Sequence, residues 1–290
     1  MTSVFCHSKE HTVIIHHVLL IIHLILVCIR YTMYTKIIDF SKYSSIRIGQ
    51  PTEVLMIEKD DPIPTDRYLV GSANNLLISP TPPPLMMLSK DFSYFKEANG
   101  FLEIGAATPT GRIVSYAKKH DLTGFEFCAK LPGTLGGMLA MNAGVKSYEI
   151  FNILHSIQIN GAWIKKELIP YGYRYALLGG IATAAKFKTC SGFNQETLKT
   201  LCSLRSNQPH EPSAGSAFKN PPGDHAGRLI EAAGLKGYRY GDMAWSSMHA
   251  NFLINLGQGS YSDAIVLIHL AKERVKEEFG ILLEEEIKLL

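Results

Sequence analysis

A segment that begins with glycine and continues with small side chains and asparagines follows a predicted strand and is suited to binding phosphate. Its residues are Gly71, Ser72, Ala73, Asn74, Asn75, Leu76 and Leu77. Small residues and asparagines let successive backbone N–H groups face one concavity, which suits a pyrophosphate. A tight turn is the competing interpretation of the same residues, so this segment alone leaves both open.

A second segment has three glycines within five residues and continues into an Asn-Ala-Gly sequence. Its turn-forming and small residues are Pro132, Gly133, Thr134, Gly136, Gly137, Asn142, Ala143 and Gly144. Glycines allow the backbone to approach a bound group closely, and the apolar surroundings favour a buried binding loop over plain turns. The spacing matches neither a Rossmann GxGxxG fingerprint nor a Walker loop, because no Gly-Lys-Ser/Thr follows.

A third short segment, Ser45–Gly49, contains Arg47 two residues before Gly49. Such an arginine suits contact with a phosphate or a flavin edge. A solvated arginine is an equally good interpretation of the segment taken alone.

Three further positions carry side chains that suit acid–base or anion-binding chemistry. Arg174 can hold a carboxylate through two parallel hydrogen bonds, although a surface arginine is the competing interpretation. Ser216 has a hydroxyl that can pass a proton in a dry site, although many serines merely cap or turn. The run Glu284–Glu286 places carboxylates near the end of the chain, although such runs are commonly solvated.

Hydrophobic periodicity predicts the elements that position these residues. The predicted strands are 54–57, 68–71, 102–105, 153–159 and 184–187. The predicted helices are 109–120 with Thr108 as N-cap, 196–205, 227–233, and 262–279 ending at Gly280. Residues 281–290 alternate like a strand, which puts Glu284, Glu286 and Lys288 on one face. The loop Pro80–Pro84 is predicted to join two subdomains.

Composition excludes several classes of protein. The chain has 290 residues, 46% hydrophobic and 19% charged, which indicates an ordered protein of two or three packed units. The net charge of +3 is spread without a basic block, so no nucleic-acid partner is expected. Five cysteines without CxxC spacing indicate reduced thiols rather than disulfides or zinc, and no histidine spacing indicates a metal site.

The amino terminus contains an uncharged stretch, Thr12–Ile29, at the lower length limit for a membrane helix. Three histidines interrupt it, namely His16, His17 and His23, and each is costly in hydrocarbon. The favoured interpretation places residues 1–32 outside the working protein, which would begin at Met33. The alternative is an amino-terminal anchor, so a membrane partner is expected only if this stretch is a true part of the protein.

Seven motifs in one order give the chain a resemblance to the UDP-N-acetylenolpyruvoylglucosamine reductase family. The motifs are SIRIG, GSANNLL, GFEFCAKLPGTLGGMLAMNAGV, YRYA, PSAGSAFKNPPGDHAGRLIEAAGLKG, HANFLIN and FGILLEEE. They span residues 36–290. The LPGTLGG–MNAG and GSAFKNP motifs are specific together, whereas YR and SIRIG are not specific alone.

The resemblance implies an α+β fold of the FAD-binding, vanillyl-alcohol-oxidase type. Two α+β subdomains, at about 33–85 and 86–190, would bind FAD, and a smaller α+β domain at 191–290 would bind substrate. The three glycine-containing segments would then form the flavin site. The implied reaction uses FAD and NADPH to reduce UDP-N-acetylglucosamine enolpyruvate to UDP-N-acetylmuramate for peptidoglycan. A cytoplasmic monomer is expected.

The resemblance also implies roles for individual residues. Ser216 matches the family's proton donor, Arg174 its catalytic arginine and Glu286 its catalytic glutamate. The implied substrate-binding residues are Tyr173, Lys219, Asn220 and His249. The chain departs from the family pattern at Ala176, Glu285 and Lys288, where serine, proline and arginine are expected. The alternatives are a flavin oxidase of the same fold acting on another substrate, and a non-catalytic, membrane-associated nucleotide-sugar-binding protein.

Overall fold

Three β-sheets of four or five strands, together with smaller two-stranded pairs, organise the residues that the computed structural model describes, which are 33–203 and 208–290. The amino-terminal stretch 12–29 and the final residues of the predicted helix 196–205 lie outside the described residues. No helix within the described ranges is long and apolar enough to cross a membrane.

The first unit is a four-stranded sheet with the order β1-β2-β5-β3. Its elements are β1 (Tyr34–Asp39), α1 (Phe40–Tyr43), β2 (Pro51–Ile57), β3 (Tyr68–Leu69), β4 (Leu76–Leu77) and β5 (Leu85–Leu88). Strands β2, β5 and β3 run parallel, so their carboxyl ends share one edge. The first glycine-rich segment follows β3 at this edge, where open sheets with parallel strands commonly bind ligands.

The proline loop does not join two subdomains, contrary to the prediction. Residues 80–84 connect β4 to β5, and β5 is an interior strand of the first sheet. The first unit therefore continues to Leu88, three residues past the expected boundary. Leu85–Leu88 is an apolar run of the kind that favours an interior strand, and its first three side chains are buried in this sheet.

The second unit is a five-stranded antiparallel sheet with the order β11-β10-β14-β7-β6. Its strands are β6 (Phe95–Ala98), β7 (Phe101–Gly105), β8 (Gly144–Val145), β9 (Tyr148–Glu149), β10 (Leu154–Ile159), β11 (Ala162–Lys165), β12 (Tyr171–Gly172), β13 (Tyr175–Ala176) and β14 (Ala182–Lys188). Its helices are α2 (Thr110–Lys119), α3 (Leu135–Met141), α4 (Ile150–Ile153) and α5 (Gln195–Ser203). The predicted strands at 102–105, 153–159 and 184–187 are confirmed.

Two details of the second unit differ from the sequence-based expectation. Helix α2 begins one residue late, with Pro109 as N-cap, and the Thr108 hydroxyl donates to the Tyr94 carbonyl at 3.4 Å instead of capping. Helix α5 packs Leu201 into the core of this unit, so the second unit extends beyond residue 190.

The third unit is a four-stranded sheet with the order β15-β18-β17-β16, packed against two helices. Its elements are β15 (Ser213–Ser216), α6 (Ala226–Ala232), β16 (Arg239–Tyr240), β17 (Met243–Trp245), β18 (Phe252–Asn255), α7 (Tyr261–Phe279) and β19 (Lys288–Leu289). The predicted helix 262–279 is confirmed. A capping box of Ser260 and Asp263 starts it, and Gly280 ends it with a φ of 67°.

The final segment forms a regular strand at two residues rather than across 281–290. Strand β19 pairs in parallel with β4 of the first unit. The residues just before it are held by β15 and its extension: Lys219 N–H donates to the Glu284 carbonyl at 2.9 Å, and Glu286 N–H to the Ala217 carbonyl at 2.8 Å. Because this segment crosses from the third unit to the first, it cannot follow one ladder throughout.

Candidate active site

The first and second glycine-rich segments face each other where the first two units meet. A Cβ placed on Gly71 would lie 3.0 Å from the Thr134 hydroxyl oxygen. A Cβ placed on Gly133 would lie 3.7 Å from the Asn74 side-chain nitrogen. The fold therefore brings together two of the three segments singled out in the sequence.

The first segment has free hydrogen-bond donors. The backbone N–H groups of Ser72, Ala73, Asn74 and Asn75 donate to no other described residue. Ala73 has a φ of 49°, which lets neighbouring N–H groups turn toward a common point. Consecutive unpaired N–H groups in such a turn form an anion-binding nest. This arrangement favours the phosphate-binding interpretation over a plain turn.

The third segment lies beside the first, because Ser45 N–H donates to the Ala73 carbonyl at 3.2 Å. The Ser45 hydroxyl is buried and has no hydrogen-bond partner among the described residues. Arg47 is exposed, and its carbonyl accepts from the Asn255 side chain at 3.3 Å. Gly49 has a φ of 126°, and a Cβ there would lie 2.6 Å from the Phe40 Cβ, so packing requires glycine.

The beginning of the second segment leaves open space beside helix α3. Thr134 caps this helix and accepts from Gly137 N–H at 3.5 Å, while Gly136 N–H donates to the Ala106 carbonyl at 2.8 Å. Pro132 and Gly137 are exposed. The nearest atom to a Cβ on Gly137 would be the Thr134 hydroxyl oxygen at 3.8 Å, so the protein itself does not require glycine there.

The residues at the end of the second segment make hydrogen bonds and packing contacts within the protein. Asn142 is fully buried, has a φ of 43°, and donates to the Glu149 carboxylate at 2.8 Å and the Gly172 carbonyl at 3.1 Å. Its side-chain oxygen accepts from Phe151 N–H at 3.2 Å. A Cβ on Gly144 would lie 2.1 Å from the Tyr148 carbonyl oxygen. Ala143 packs against the core of the second unit. Cofactor contacts by these three residues stay a prediction.

Arg174 and Glu286, predicted from segments 112 positions apart in the chain, form an ion pair. The Arg174 Nε donates to Glu286 Oε1 at 3.0 Å, and both side chains are more than four-fifths buried. Arg174 occupies the second turn position between β12 and β13 with a φ of 60°. A positive φ strains a non-glycine residue, and such strain collects at functional sites.

Burial raises the pKa of the Glu286 carboxyl, while the nearby Arg174, Lys219 and Lys288 charges act in the opposite direction. The Glu286 carbonyl accepts from the Asn75 side chain at 2.9 Å. Glu286 therefore contacts the first glycine-rich segment through its backbone and Arg174 through its side chain.

Ser216 lies beside this pair on β15. Both Glu286 N–H and Ile287 N–H donate to the carbonyl of Ala217, the next residue after Ser216. The Ser216 hydroxyl is partly exposed and makes no hydrogen bond with any described residue. A hydroxyl without a protein partner is free to bond to a ligand.

The predicted substrate-binding residues have partners within the protein. Lys219 forms an ion pair with Glu284. The Asn220 oxygen accepts from Ala226 N–H at 3.0 Å at the start of α6. His249 Nδ1 accepts from Asn251 N–H at 3.3 Å, and burial lowers the pKa of the His249 imidazole. Their substrate contacts stay predictions.

Tyr173 and two of the departures from the family pattern also have defined surroundings. The Tyr173 ring lies 5.0 Å from the Arg174 guanidinium carbon and is 45% exposed. Glu285 forms an ion pair with Lys272 at 2.6 Å, and Lys288 N–H donates to the Asn75 carbonyl at 2.9 Å. Both residues therefore have defined partners within the protein.

The sequence interpretation missed three residues that hold the site together. Asn251 bonds both backbone groups of Phe218, with distances of 3.0 Å and 2.8 Å, and so fixes the chain that carries Ser216. Asn255 donates to the Ile46 carbonyl at 3.0 Å and ties the third unit to the first. Glu149 contacts Asn142 and Arg174. An asparagine at each end of the apolar run in HANFLIN is the signal for the first two.

A separate cavity of about 790 Å³ lies between the first two units. Its lining includes residues 59–65, Phe92, Tyr94, Ile181 and Thr183, and none of the predicted site residues. The Thr183 carbonyl accepts from Ala106 N–H at 2.9 Å, and the Ala106 carbonyl accepts from Gly136 N–H at 2.8 Å. The cavity wall is therefore connected to the second glycine-rich segment by two hydrogen bonds.

Comparison with known proteins agrees with this geometry. The family model for the C-terminal domain of UDP-N-acetylenolpyruvoylglucosamine reductase matches residues 208–290. A reductase of that name from Helicobacter hepaticus is 50% identical over 262 residues, covering 89% of this chain and 100% of that protein. The Campylobacter jejuni (strain RM1221) reductase is 46% identical over 259 residues, covering 88% and 100% of the two chains.

Comparison with a solved structure shows that the fold is similar as well. The crystal structure of the reductase from Thermus caldophilus superimposes with a TM-score of 0.76 at 31% identity, covering 89% of this chain and 99% of that chain. The expected α+β fold is thereby confirmed, and it is the fold of the reductase family. These matches cover the segments that meet around Arg174 and Glu286, and the chain belongs to the UDP-N-acetylenolpyruvoylglucosamine reductase family.

Proposed function

We propose that this chain reduces UDP-N-acetylglucosamine enolpyruvate to UDP-N-acetylmuramate, with FAD as resident cofactor and NADPH as reductant. The observation that carries the proposal is the meeting of the Arg174–Glu286 pair and the Ser216 strand beside the open first glycine-rich segment. The reaction needs a cation, a proton donor and a cofactor site together.

The residues present fit a flavin dinucleotide. The N–H groups of Ser72–Asn75, which bond to no described residue, suit its pyrophosphate, and the buried Ser45 hydroxyl, which has no partner among those residues, offers a further donor nearby. The open space beside Gly137 leaves room for a bound group. When bound, the flavin supplies hydride transfer from NADPH to the enol-ether carbon remote from the substrate carboxylate.

We further propose that the cavity between the first two units receives the adenosine half of FAD. Its volume of about 790 Å³ is in the range of small-molecule sites, roughly 300–1,000 Å³. FMN lacks the adenosine half, so the apoprotein should bind FAD at least tenfold more tightly than FMN. Equal affinity in a fluorescence-quenching titration would contradict this placement.

The protein side chains would then complete the second half of the reaction. Arg174 binds the substrate carboxylate and stabilises the negative charge that develops on it as hydride arrives. Ser216 donates a proton to the carbon beside the carboxylate, so the double bond gains one hydride and one proton. Before substrate binds, Glu286 pairs with Arg174 and holds the guanidinium beside the Ser216 strand.

The Ser216→Ala variant tests this division of roles. Flavin reduction by NADPH should keep a near-normal rate, because Ser216 has no part in it. Reoxidation by the enolpyruvate substrate should slow at least a hundredfold, since general acid catalysis contributes roughly 10²–10⁴-fold. Stopped-flow flavin absorbance separates the two steps, and Ser213→Ala on the same strand is the matched control.

The other possible results of these experiments would indicate a different role for Ser216 or a different function for the protein. Equal loss in both steps would mean that Ser216 shapes the site without donating a proton, and no loss would make it structural. A yellow protein that NADPH reduces but the enolpyruvate does not reoxidise would indicate a flavin enzyme with another substrate. A colourless protein that takes up no FAD would indicate a nucleotide-sugar-binding protein.

A further inference from the structure

Glu149 is a partly buried carboxylate for which the proposed reaction has no stated use. Its side chain is 23% exposed, and it is the last residue of β9, opposite Gly144 in the short hairpin of β8 and β9. One carboxylate oxygen accepts from the buried Asn142 side chain at 2.8 Å. The other lies 4.0 Å from the Arg174 NH1. Because Asn142 is itself fixed by Gly172 and Phe151, the position of this carboxylate is set by the fold.

Besides the Tyr173 ring, three polar groups lie around the Arg174 guanidinium, and two of them come from that hairpin. The NH2 donates to the Gly144 carbonyl at 3.1 Å, and the NH1 faces Glu149. The third, Glu286, comes from the final segment of the third unit and bonds the Nε at 3.0 Å. A substrate carboxylate that binds Arg174 competes with Glu286, because both are anions directed at the same cation.

We infer that Glu149 is a positioning residue, which holds the Arg174 guanidinium in place when the substrate carboxylate engages it and weakens its pairing with Glu286. The inference rests on the proposed function for the identity of that carboxylate. Arg174 needs such a support because its backbone is in a strained conformation at the tip of a two-residue turn. A small displacement of a substrate-binding arginine is costly, up to about a hundredfold in rate.

The test compares three variants of the full chain. Glu149→Gln keeps the shape and removes the charge, Glu149→Asp keeps the charge on a shorter stem, and Glu97→Gln is the matched control. Glu97 belongs to the same unit, but it is exposed and its carboxylate accepts from the Tyr116 hydroxyl at 2.7 Å. Reduction by NADPH and reoxidation by the enolpyruvate are measured separately for each.

We expect Glu149→Gln to reoxidise roughly 10–100-fold more slowly, with reduction by NADPH within about twofold of the unmodified protein. The decrease in activity should appear mainly in kcat rather than in KM. Glu149→Asp should restore part of the lost activity. In a spectrum of arginine ¹⁵Nε–¹H groups, the Arg174 signal, identified by its loss in Arg174→Lys, should shift in Glu149→Gln and stay in place in Glu97→Gln.

Two results would overturn the inference. One is an unchanged reoxidation rate together with an unmoved Arg174 signal in Glu149→Gln. The other is an equal loss in both steps accompanied by a lower unfolding temperature, which would make Glu149 a purely structural residue. Failure of the unmodified protein to be reduced by NADPH or reoxidised by the substrate would instead refute the proposed function, and the Arg174 signal would still test the positioning.

Discussion

The first two glycine-containing segments both consist largely of small residues and asparagine, but they differ in what their polar groups do. In the first, the backbone N–H groups of Ser72–Asn75 bond to no described residue. In the second, the Asn142 side chain bonds three protein groups, and Gly144 packs directly on the Tyr148 backbone. The backbone of the first segment leaves donors open for a ligand, whereas glycine at the end of the second allows close packing.

The difference shows that a glycine-rich sequence does not by itself reveal whether the missing side chain makes room for a ligand or for the protein. The second segment contains both cases, since Gly137 faces open space and Gly144 does not. Substitutions at these positions can therefore separate effects on folding from effects on cofactor binding. The expected decrease in the free energy of unfolding is largest for a substitution at Gly144, smaller at Asn142 and smallest at Gly137.

The largest loss is expected for Gly144→Ala. The added methyl group would lie 2.1 Å from a backbone oxygen, so the β8–β9 hairpin must move as a whole. We expect the free energy of unfolding to fall by about 3–5 kcal/mol, at or above the upper end of overpacking costs. Urea denaturation measures it. Gly111→Ala is the matched control, because a Cβ there has no neighbour within 4 Å, and a similar loss in both variants would contradict the comparison.

Asn142→Ala should destabilise the protein by about 2–3 kcal/mol, because it leaves the buried Phe151 N–H and Gly172 carbonyl without their partners. The apoprotein should show the same loss as the flavin-loaded protein if Asn142 serves the fold alone. Unfolding temperatures measured with and without saturating FAD make this comparison. A loss confined to the loaded protein would instead assign Asn142 to the cofactor.

Gly137→Val is expected to have the smallest effect on folding stability and the largest effect on cofactor binding. A Cβ at this exposed position meets no atom closer than 3.8 Å, so apoprotein stability should change by less than about 0.5 kcal/mol. The purified protein should nevertheless lack flavin, because the branched side chain occupies space that the cofactor needs. Gly111→Val, on an exposed helical position without close neighbours, should stay yellow. A fully loaded Gly137→Val protein would refute the site assignment.

Local patterns predicted several elements because their signals are carried by neighbouring residues. Helix α7 is an example, since its apolar residues recur at helical spacing and both its ends carry capping residues. The boundaries failed where long-range pairing decided them. Strand β5 joins the first sheet despite the proline loop before it, and residues 281–287 are held by scattered bonds to another segment.

The sequence by itself determined the family, the three glycine-containing segments and the three residues expected to carry the chemistry, because these depend on residue types in a fixed order. Only the tertiary structure decided which glycines face open space and that Arg174 pairs with Glu286, 112 positions away in the chain. It alone also placed Glu149 4.0 Å from the Arg174 guanidinium. The physical reason is that hydrogen-bond partners and burial are properties of neighbours in space, and the chain brings those neighbours together only on folding.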